Sequence, residues 1–98
     1  MTMKNLYFVC YDVMDAKRLH RVFKLLRGFG EHVQYSAFLC NLSQMQKAEL
    51  ADLLSDIINL KEDRVLLINL GPSDGTSEKR IERLGQQGPP PEIAPVIV

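Results

Sequence analysis

The chain of 98 residues carries 12 basic and 12 acidic side chains and is 46% hydrophobic. This size and composition are typical of one folded domain, and the zero net charge excludes a generic polybasic nucleic-acid binder. No apolar run reaches the roughly 18–20 residues of a membrane-spanning helix and no signal-peptide pattern is found, so we expect a cytoplasmic protein without a membrane partner.

The first predicted element is a strand over residues 5–13, with the sequence NLYFVCYDV. Neighbouring side chains of a strand point to opposite faces, and because odd and even positions are both apolar here, we expect both faces to be covered. Cys10 in this strand and Cys40 in a later apolar run are predicted to be free thiols. Asp12 ends the apolar run on the same face as Cys10. A carboxylate at the end of a central strand, beside a cationic segment, is the most distinctive chemical feature of the sequence.

A helix is predicted over residues 16–29, with Asp15 as its N-cap and Gly28 and Gly30 as its stop. Its apolar residues recur at helical spacing, and the opposite side carries only positive charge. The segment 17–27 contains five cations and no acid. These cations are Lys17, Arg18, Arg21, Lys24 and Arg27. A surface with cations alone favours contact with phosphate groups over simple solvation.

Residues 32–42 have β character and are interpreted as two short strands joined near residues 34–36, although a single bent strand fits nearly as well. Ser43 and Gln46 have the spacing of a capping box, which predicts a second helix. The predicted apolar stripe of this helix comprises Leu50, Leu53, Leu54, Ile57 and Ile58. Residues 65–70 then predict a strand that is apolar on both faces, like the first.

The compact core is predicted to end at residue 71, and residues 72–98 are an extension. Residues 80–84 fit either a short edge strand or a helical turn, and residues 89–91 are an extended proline spacer. The chain closes on an apolar segment, residues 92–98. We expect this tail to dock on its own dimer or on a partner protein. Its docking side chains are Ile93, Val96, Ile97 and Val98.

The element order predicts an α+β fold of the ferredoxin-like βαββαβ type, with an antiparallel four-stranded sheet and both helices on one face. A C-terminal edge strand or tail would be added to this sandwich. The first and last core strands are apolar on the uncovered face as well, which implies a partner. The simplest partner is a second copy related by a twofold axis, so a homodimer is predicted.

Several short segments match one known family, and they are Tyr11-Asp12, Lys17-Arg18, Arg21-Val22, Leu25-Leu26, Gly30 and VQYSAF at residues 33–38. With these segments the chain resembles the CRISPR-associated protein 2 family over residues 4–71. The resemblance implies a dimer that lies between two dimers of the CRISPR integrase (CRISPR-associated protein 1). It also implies that this dimer helps to hold a foreign DNA fragment for insertion as a new spacer. A metal-dependent nuclease that cleaves RNA or double-stranded DNA is the other activity that it implies.

The resemblance also implies roles for individual residues. It places the catalytic, metal-binding aspartate of the family at Asp12 and a functional helix arginine at Arg21, with motif residues at Ser36 and Phe38 as support. A twofold axis would bring two Asp12 side chains into one cleft, and paired carboxylates suit Mg²⁺ or another divalent cation. Such an ion would activate water and offset phosphate charge. We expect it to bind when nucleic acid is bound.

Three functions remain open from the sequence. The leading interpretation is a dimeric scaffold that binds double-stranded DNA with the integrase during spacer acquisition in antiviral defence. The alternative is a magnesium-dependent endonuclease, either an endoribonuclease or a double-stranded DNase, although one carboxylate per subunit is few for phosphodiester hydrolysis. The third is a ferredoxin-like module that binds a small ligand or single-stranded RNA. The exposed aromatic pattern of RNA-recognition modules does not occur in the sequence.

Overall fold

The protein folds as a four-stranded antiparallel sheet with two helices, seen in a computed structural model that describes residues 3–86, 88 and 90. The elements are β1 (Asn5–Asp12), α1 (Ala16–Arg27), β2 (Glu31–Gln34), β3 (Ala37–Leu42), α2 (Gln44–Ile57), β4 (Arg64–Pro72) and a 3₁₀ helix (Ser77–Arg80). The strand order is β2-β3-β1-β4, and each neighbouring pair is antiparallel. The predicted ferredoxin-like βαββαβ fold is therefore confirmed.

The core lies between the helices and one face of the sheet, which we call the helix-covered face. Its buried side chains come from alternate strand positions and from the inner sides of both helices. They include Tyr7, Val9, Tyr11, Val22, Phe23, Leu26, Phe38, Cys40, Leu42, Leu50 and Leu54. Burial of each large apolar side chain contributes about 1.5–3 kcal/mol relative to exposure, so this layer is the main source of stability. Leu53 does not join it. The prediction that placed Leu53 in the stripe of α2 was wrong, because α2 turns this side chain outward, where it is exposed.

Both helices begin at the predicted caps. The Asp15 carboxylate accepts a hydrogen bond from the Arg18 backbone N–H at 3.0 Å. Ser43 and Gln46 form the reciprocal capping box, with bonds of 2.9 and 3.1 Å. α1 ends at Arg27, two residues before the predicted end, because Gly28 caps it and donates to the Leu25 carbonyl. Within the part of the chain described, neither helix has the length and apolar character that crossing a bilayer requires.

The hairpin that follows α1 consists of two strands, β2 and β3, joined at residues 35–36. This confirms the two-strand interpretation over a single bent strand. Gly30 precedes β2 and lies so close to β3 that a Cβ atom there would overlap the Leu39 carbonyl and Cys40. A side chain at this position would push the hairpin away from the core.

Residues 80–84 were predicted to be either a short edge strand or a helical turn, and the edge strand does not form. A 3₁₀ helix forms at Ser77–Arg80 instead, and residues 81–84 have no regular structure. The buried Ser77 hydroxyl donates to the Pro72 carbonyl at 2.7 Å, and an Arg80 guanidinium nitrogen donates to the Leu70 carbonyl at 3.3 Å. These bonds coil the chain against the end of β4 and prevent it from running on as a strand.

The second face of the sheet, which we call the open face, carries no helix. β1 and β4 pair across it in the register Phe8 opposite Ile68 and Cys10 opposite Leu66. Leu66 is 58% exposed and Ile68 is 45% exposed. The apolar character expected for this face is therefore confirmed.

The C-terminal extension covers the other part of the open face, above β2 and β3. Residues from both sides enclose a cavity of about 440 Å³. Its apolar lining includes Phe8, Val33, Leu39, Ile81, Leu84 and Pro90. Pro90 is the described part of the predicted spacer at residues 89–91. The predicted docking residues Ile93, Val96, Ile97 and Val98 lie outside the described residues, so the docking tail at residues 92–98 stays a prediction.

The two cysteines are free thiols, as predicted. Cys40 is buried in the core beneath the helices, whereas Cys10 is half-buried on the open face. Because the two side chains project from opposite faces of the sheet, they do not meet within one protomer. Burial raises the pKa of the Cys40 thiol to about 11, which leaves it protonated and unreactive.

Candidate nucleic-acid interface and the Asp12 site

Asp12 is exposed at the end of β1, between two neighbouring segments of the sheet. Arg64, the first residue of β4, is its partner in the β1–β4 ladder. On the other side of β1, the Tyr11 backbone N–H donates to the Ser36 carbonyl at 3.1 Å. The carboxylate of Asp12 thus lies at one end of the sheet, with an arginine on one side and the β2–β3 turn on the other.

Aromatic packing holds the β2–β3 turn against the end of β1. The fully buried Phe38 ring packs edge-on against Phe23, with the ring centroids 5.6 Å apart. His32 stacks on Phe38 at 4.9 Å, and its Nε2 lies 3.3 Å from the Tyr35 carbonyl, to which it donates. Phe38 therefore supports the turn from within the core, and Ser36 contributes its backbone carbonyl. Of the two predicted support residues, Ser36 contacts β1 through its backbone carbonyl and Phe38 lies in the core beneath the turn.

Two tyrosines lie close to each other beside the Asp12 site. Burial raises the pKa of Tyr11 to about 12, and the nearby Tyr35 adds to this effect. Tyr11 is therefore a neutral phenol at physiological pH, and it projects into the core on the helix-covered face. Tyr35 is one of the exposed large side chains of the protein.

Asp63, in the loop before β4, is the centre of a hydrogen-bonded group that we call the Asp63 clamp. Its carboxylate accepts bonds from Arg18 Nε at 2.8 Å, from the Met14 backbone N–H at 2.9 Å and from the Asn59 backbone N–H at 2.8 Å. The Asp63 side chain is 0% exposed. Arg18 also forms an ion pair with Glu62, at 3.1 Å. The clamp thus joins the β1–α1 loop to the α2–β4 loop.

The electrostatics of the clamp favour the charged carboxylate. The hydrogen bond from Arg18 holds the pKa of Asp63 well below its usual range. Burial opposes this shift, and the backbone N–H groups of Asn59 and Met14 add to the lowering. Asp63 is therefore an ionised side chain inside the protein, and its three partners compensate for the loss of water.

Arg18 consequently differs from the other cations predicted to contact nucleic acid. Its guanidinium turns toward the clamp, because the buried Asp63 carboxylate is its nearest partner. Lys17, Arg21 and Lys24 are exposed along the outer side of α1, and none of the three forms an ion pair among the described residues. The Arg27 guanidinium lies 5.6 Å from the centroid of the Phe23 ring. We therefore define the basic face of α1 as Lys17, Arg21 and Lys24, and the contact of the exposed Arg27 with nucleic acid stays a prediction.

The donor set for a divalent cation is small within one protomer. Among residues 3–86, 88 and 90, no group of three or more His, Cys, Asp or Glu is placed to hold a metal ion. Asp12 offers one exposed carboxylate. Mg²⁺ in nucleic-acid enzymes commonly binds through one or two carboxylates together with substrate phosphates and water. Asp12 fits that pattern when a second copy or a nucleic acid supplies the remaining oxygen atoms.

The sequence prediction did not include Asp63 or Arg64. The role of Asp63 depends on partners that are as many as 49 positions away in the chain, which no local pattern reveals. Arg64 would have followed from the β1–β4 register, because counting back from the apolar pair Phe8 and Ile68 puts it opposite Asp12. The pairing of Arg64 with Asp12 therefore follows from the strand register, which the alternation of apolar residues alone does not determine.

The antiparallel sheet, with two helices on one face and an acidic strand end, defines a small α+β protein of the ferredoxin-like class. The family model for CRISPR associated protein Cas2 matches residues 4–76. The chain belongs to this family, which confirms the resemblance found in the sequence.

Individual relatives agree with the family assignment. The CRISPR-associated endoribonuclease Cas2 1 of Rhodospirillum rubrum is 36% identical over 83 residues, which cover 85% of this chain and 80% of that protein. The CRISPR-associated endoribonuclease Cas2 of Thermus thermophilus is 40% identical over 87 residues, with 88% and 89% covered. The crystal structure of Streptococcus pyogenes Cas2 at pH 6.5 matches with a TM-score of 0.72 and 33% identity, and covers 82% of this chain and 99% of that one.

Proposed function

We propose that this protein is a dimeric scaffold of CRISPR adaptation, which binds double-stranded DNA without regard to sequence and works with the CRISPR integrase in spacer acquisition. The observation that carries the proposal is the one-sided charge of α1. Lys17, Arg21 and Lys24 are exposed there, and α1 contains no acidic residue, in a chain whose net charge is zero. Membership of the family supports the CRISPR role.

The geometry of α1 suits a phosphate backbone. Lys17, Arg21 and Lys24 are separated by four and three positions, so they follow one side of the helix. Arginine and lysine side chains there contact phosphate oxygens, which carry no base-sequence information. The outer side of α2 instead carries Glu49, Asp52 and Asp56. This acidic surface repels a polyanion, so the duplex is expected along α1.

Reversing two charges of the basic face tests this proposal. The variant Arg21→Glu with Lys24→Glu is expected to bind duplex DNA at least tenfold more weakly, whatever the base sequence. Each phosphate that the variant no longer neutralises should also make the negative slope of log K against log salt shallower by about 0.9. Fluorescence anisotropy with two unrelated duplexes, over a series of salt concentrations, measures both quantities.

The control reverses the same number of charges elsewhere. Lys47 on α2 and Lys79 on the 3₁₀ helix are exposed. The variant Lys47→Glu with Lys79→Glu has the same net charge as the first variant and is expected to retain most of the wild-type affinity. Equal losses in both variants would show that net charge, and not the basic face, governs binding.

The open face supports the dimer in this proposal. The exposed pair Leu66 and Ile68 continues the half-buried Phe8 and Cys10 across one ladder, and a second copy would cover them. The Asp12–Arg64 pair ends the same ladder, so closing two open faces together would bring both copies of this pair to the border of the interface. The integrase is the proposed protein partner, and the predicted tail at residues 92–98 is its proposed contact.

A metal-dependent endonuclease is the second candidate, and the names of the relatives favour it, since they are called endoribonucleases. Asp12 would hold the divalent cation, which supplies Lewis-acid chemistry at a phosphodiester when it is bound. The Tyr11 backbone and the Ser36 carbonyl fix the end of β1 and so orient the Asp12 carboxylate.

The metal proposal is tested at Asp12. The variant Asp12→Asn keeps the shape of the side chain and removes its charge, so it is expected to lose Mg²⁺ binding in the presence of an RNA or DNA ligand. Isothermal titration calorimetry measures this binding. Nuclease assays with and without EDTA measure cleavage.

Asp15→Asn is the matched control, because asparagine caps a helix as well as aspartate does while the nearby charge is lost. We expect its Mg²⁺ affinity to equal that of the wild-type protein. Wild-type Mg²⁺ affinity in Asp12→Asn would contradict the metal site. Cleavage that survives this substitution would come from a contaminating nuclease.

A further inference from the structure

The end of the β1–β4 ladder carries an acid and a base directly opposite each other. Asp12 and Arg64 are the last pair in the register, after two apolar pairs on the same face. Side chains opposite each other in an antiparallel pair project from the same face, with Cβ atoms about 4.5–5.5 Å apart. Both residues are exposed. Arg64 is therefore the cation that the sheet itself places beside Asp12.

The two side chains do not form an ion pair with each other. Among the described residues, neither Asp12 nor Arg64 forms an ion pair or donates or accepts a side-chain hydrogen bond. Arg64 therefore gives up no ion pair of the described residues when its guanidinium contacts a phosphate. The planar guanidinium donates two parallel hydrogen bonds, and a phosphodiester offers two oxygen atoms that match them.

The strand end that carries Arg64 is held by the Asp63 clamp. The preceding residue, Asp63, is buried. Its carboxylate accepts a hydrogen bond from the backbone N–H of Met14, which lies two residues after Asp12. One carboxylate thus ties the strand ends that carry Asp12 and Arg64. The end of a ladder would otherwise fray, and the clamp prevents this. Arg18 is engaged in the clamp, which leaves Arg64 to supply positive charge at this end of the sheet.

We infer that Arg64 is a phosphate-binding residue of the Asp12 site and contacts a phosphodiester of the bound nucleic acid across the ladder from the Asp12 carboxylate. Arg64 adds a cation at the end of the sheet to the cations of α1. It also offsets the negative charge with which Asp12 would repel a phosphate. This inference rests on the proposed nucleic-acid binding and adds a residue that the basic face of α1 does not include.

The test compares two substitutions of Arg64 with a control. Arg64→Ala is expected to weaken duplex DNA binding about tenfold and to reduce the salt slope by about 0.9 for each phosphate that is no longer neutralised. Arg64→Lys is expected to keep the slope while losing part of the affinity, since lysine retains the charge but not the two parallel bonds. Lys47→Ala, which removes an exposed cation from α2, should bind like the wild-type protein. Fluorescence anisotropy over a salt series measures all four proteins.

Thermal unfolding completes the test, because Arg64→Ala removes no hydrogen bond of the fold and is expected to melt like the wild-type protein. Wild-type affinity and slope in Arg64→Ala, while Arg21→Glu with Lys24→Glu binds weakly, would overturn this inference alone. Failure of the wild-type protein to bind duplex DNA would overturn the proposed function, and this inference with it.

Discussion

Replacing Asp63 with alanine is expected to lower the free energy of unfolding by about 3–5 kcal/mol, the usual cost of breaking a buried ion pair by removing one partner. The substitution removes the carboxylate that Arg18 contacts at 2.8 Å. It also leaves the backbone N–H groups of Met14 and Asn59 without their acceptor. Urea unfolding followed by circular dichroism measures the change.

Glu62 provides a matched control for this prediction. It precedes Asp63 in the chain, has the same charge and pairs with the same arginine, but its side chain is 58% exposed. The variant Glu62→Ala is expected to cost only about 0.2–1 kcal/mol. Similar losses in the two variants would show that burial of the Asp63 carboxylate does not determine the strength of the clamp.

The clamp also predicts how stability depends on pH. The pKa of Asp63 is lower in the folded protein than in the unfolded chain, so its ionised form favours folding. This contribution is complete above the unfolded pKa of about 3.9 and decreases as the pH falls below that value toward the folded pKa. The difference in unfolding free energy between the wild-type protein and Asp63→Ala should therefore shrink in acid below about pH 4.

Substituting Ile68 with glutamate is expected to convert the protein from dimer to monomer at micromolar concentration. Ile68 lies on the open face opposite Phe8 and is 45% exposed in the protomer. A dimer that closes this face would have to bury two uncompensated carboxylates, which weakens association on the order of a thousandfold. Analytical ultracentrifugation should give the 11.1 kDa chain mass for the variant and twice that mass for the wild-type protein.

The control for this experiment is Met45→Glu. Met45 is an exposed apolar residue on α2, on the other side of the sheet from the open face. We expect this variant to remain dimeric, because its new charge stays in water. An Ile68→Glu protein that sediments as a dimer would place the interface elsewhere.

Local chemistry explains why much of the fold was predictable. The apolar alternation of β1 and β4, the N-cap at Asp15 and the capping box at Ser43 each depend on residues within a few positions of one another. Such signals can be read from one sequence. The predicted end of α1 was two residues late, since apolar periodicity continues to Phe29 and only the turn at Gly28 shows the stop.

The candidate site was only partly predictable, for a reason that is also physical. Asp12 is conspicuous because it ends an apolar strand. The role of Arg18 depends on Asp63, which is 45 positions away, and that of Arg64 depends on which residues pair across the sheet. From the sequence alone, all of these charged side chains are expected at the protein surface. Only the tertiary structure shows that one arginine is engaged in the interior and another projects beside Asp12.

The position of Cys10 gives the molecule a natural reporter of its association. This thiol lies half-buried between Phe8 and Asp12 along β1, on the face that a second copy would cover, while Cys40 is enclosed in the core. Alkylating reagents would therefore distinguish the two cysteines without any engineered label. The rate at which Cys10 is alkylated would fall as the protein concentration rises through the range in which two copies associate. Measuring this rate would therefore follow dimer formation in real time.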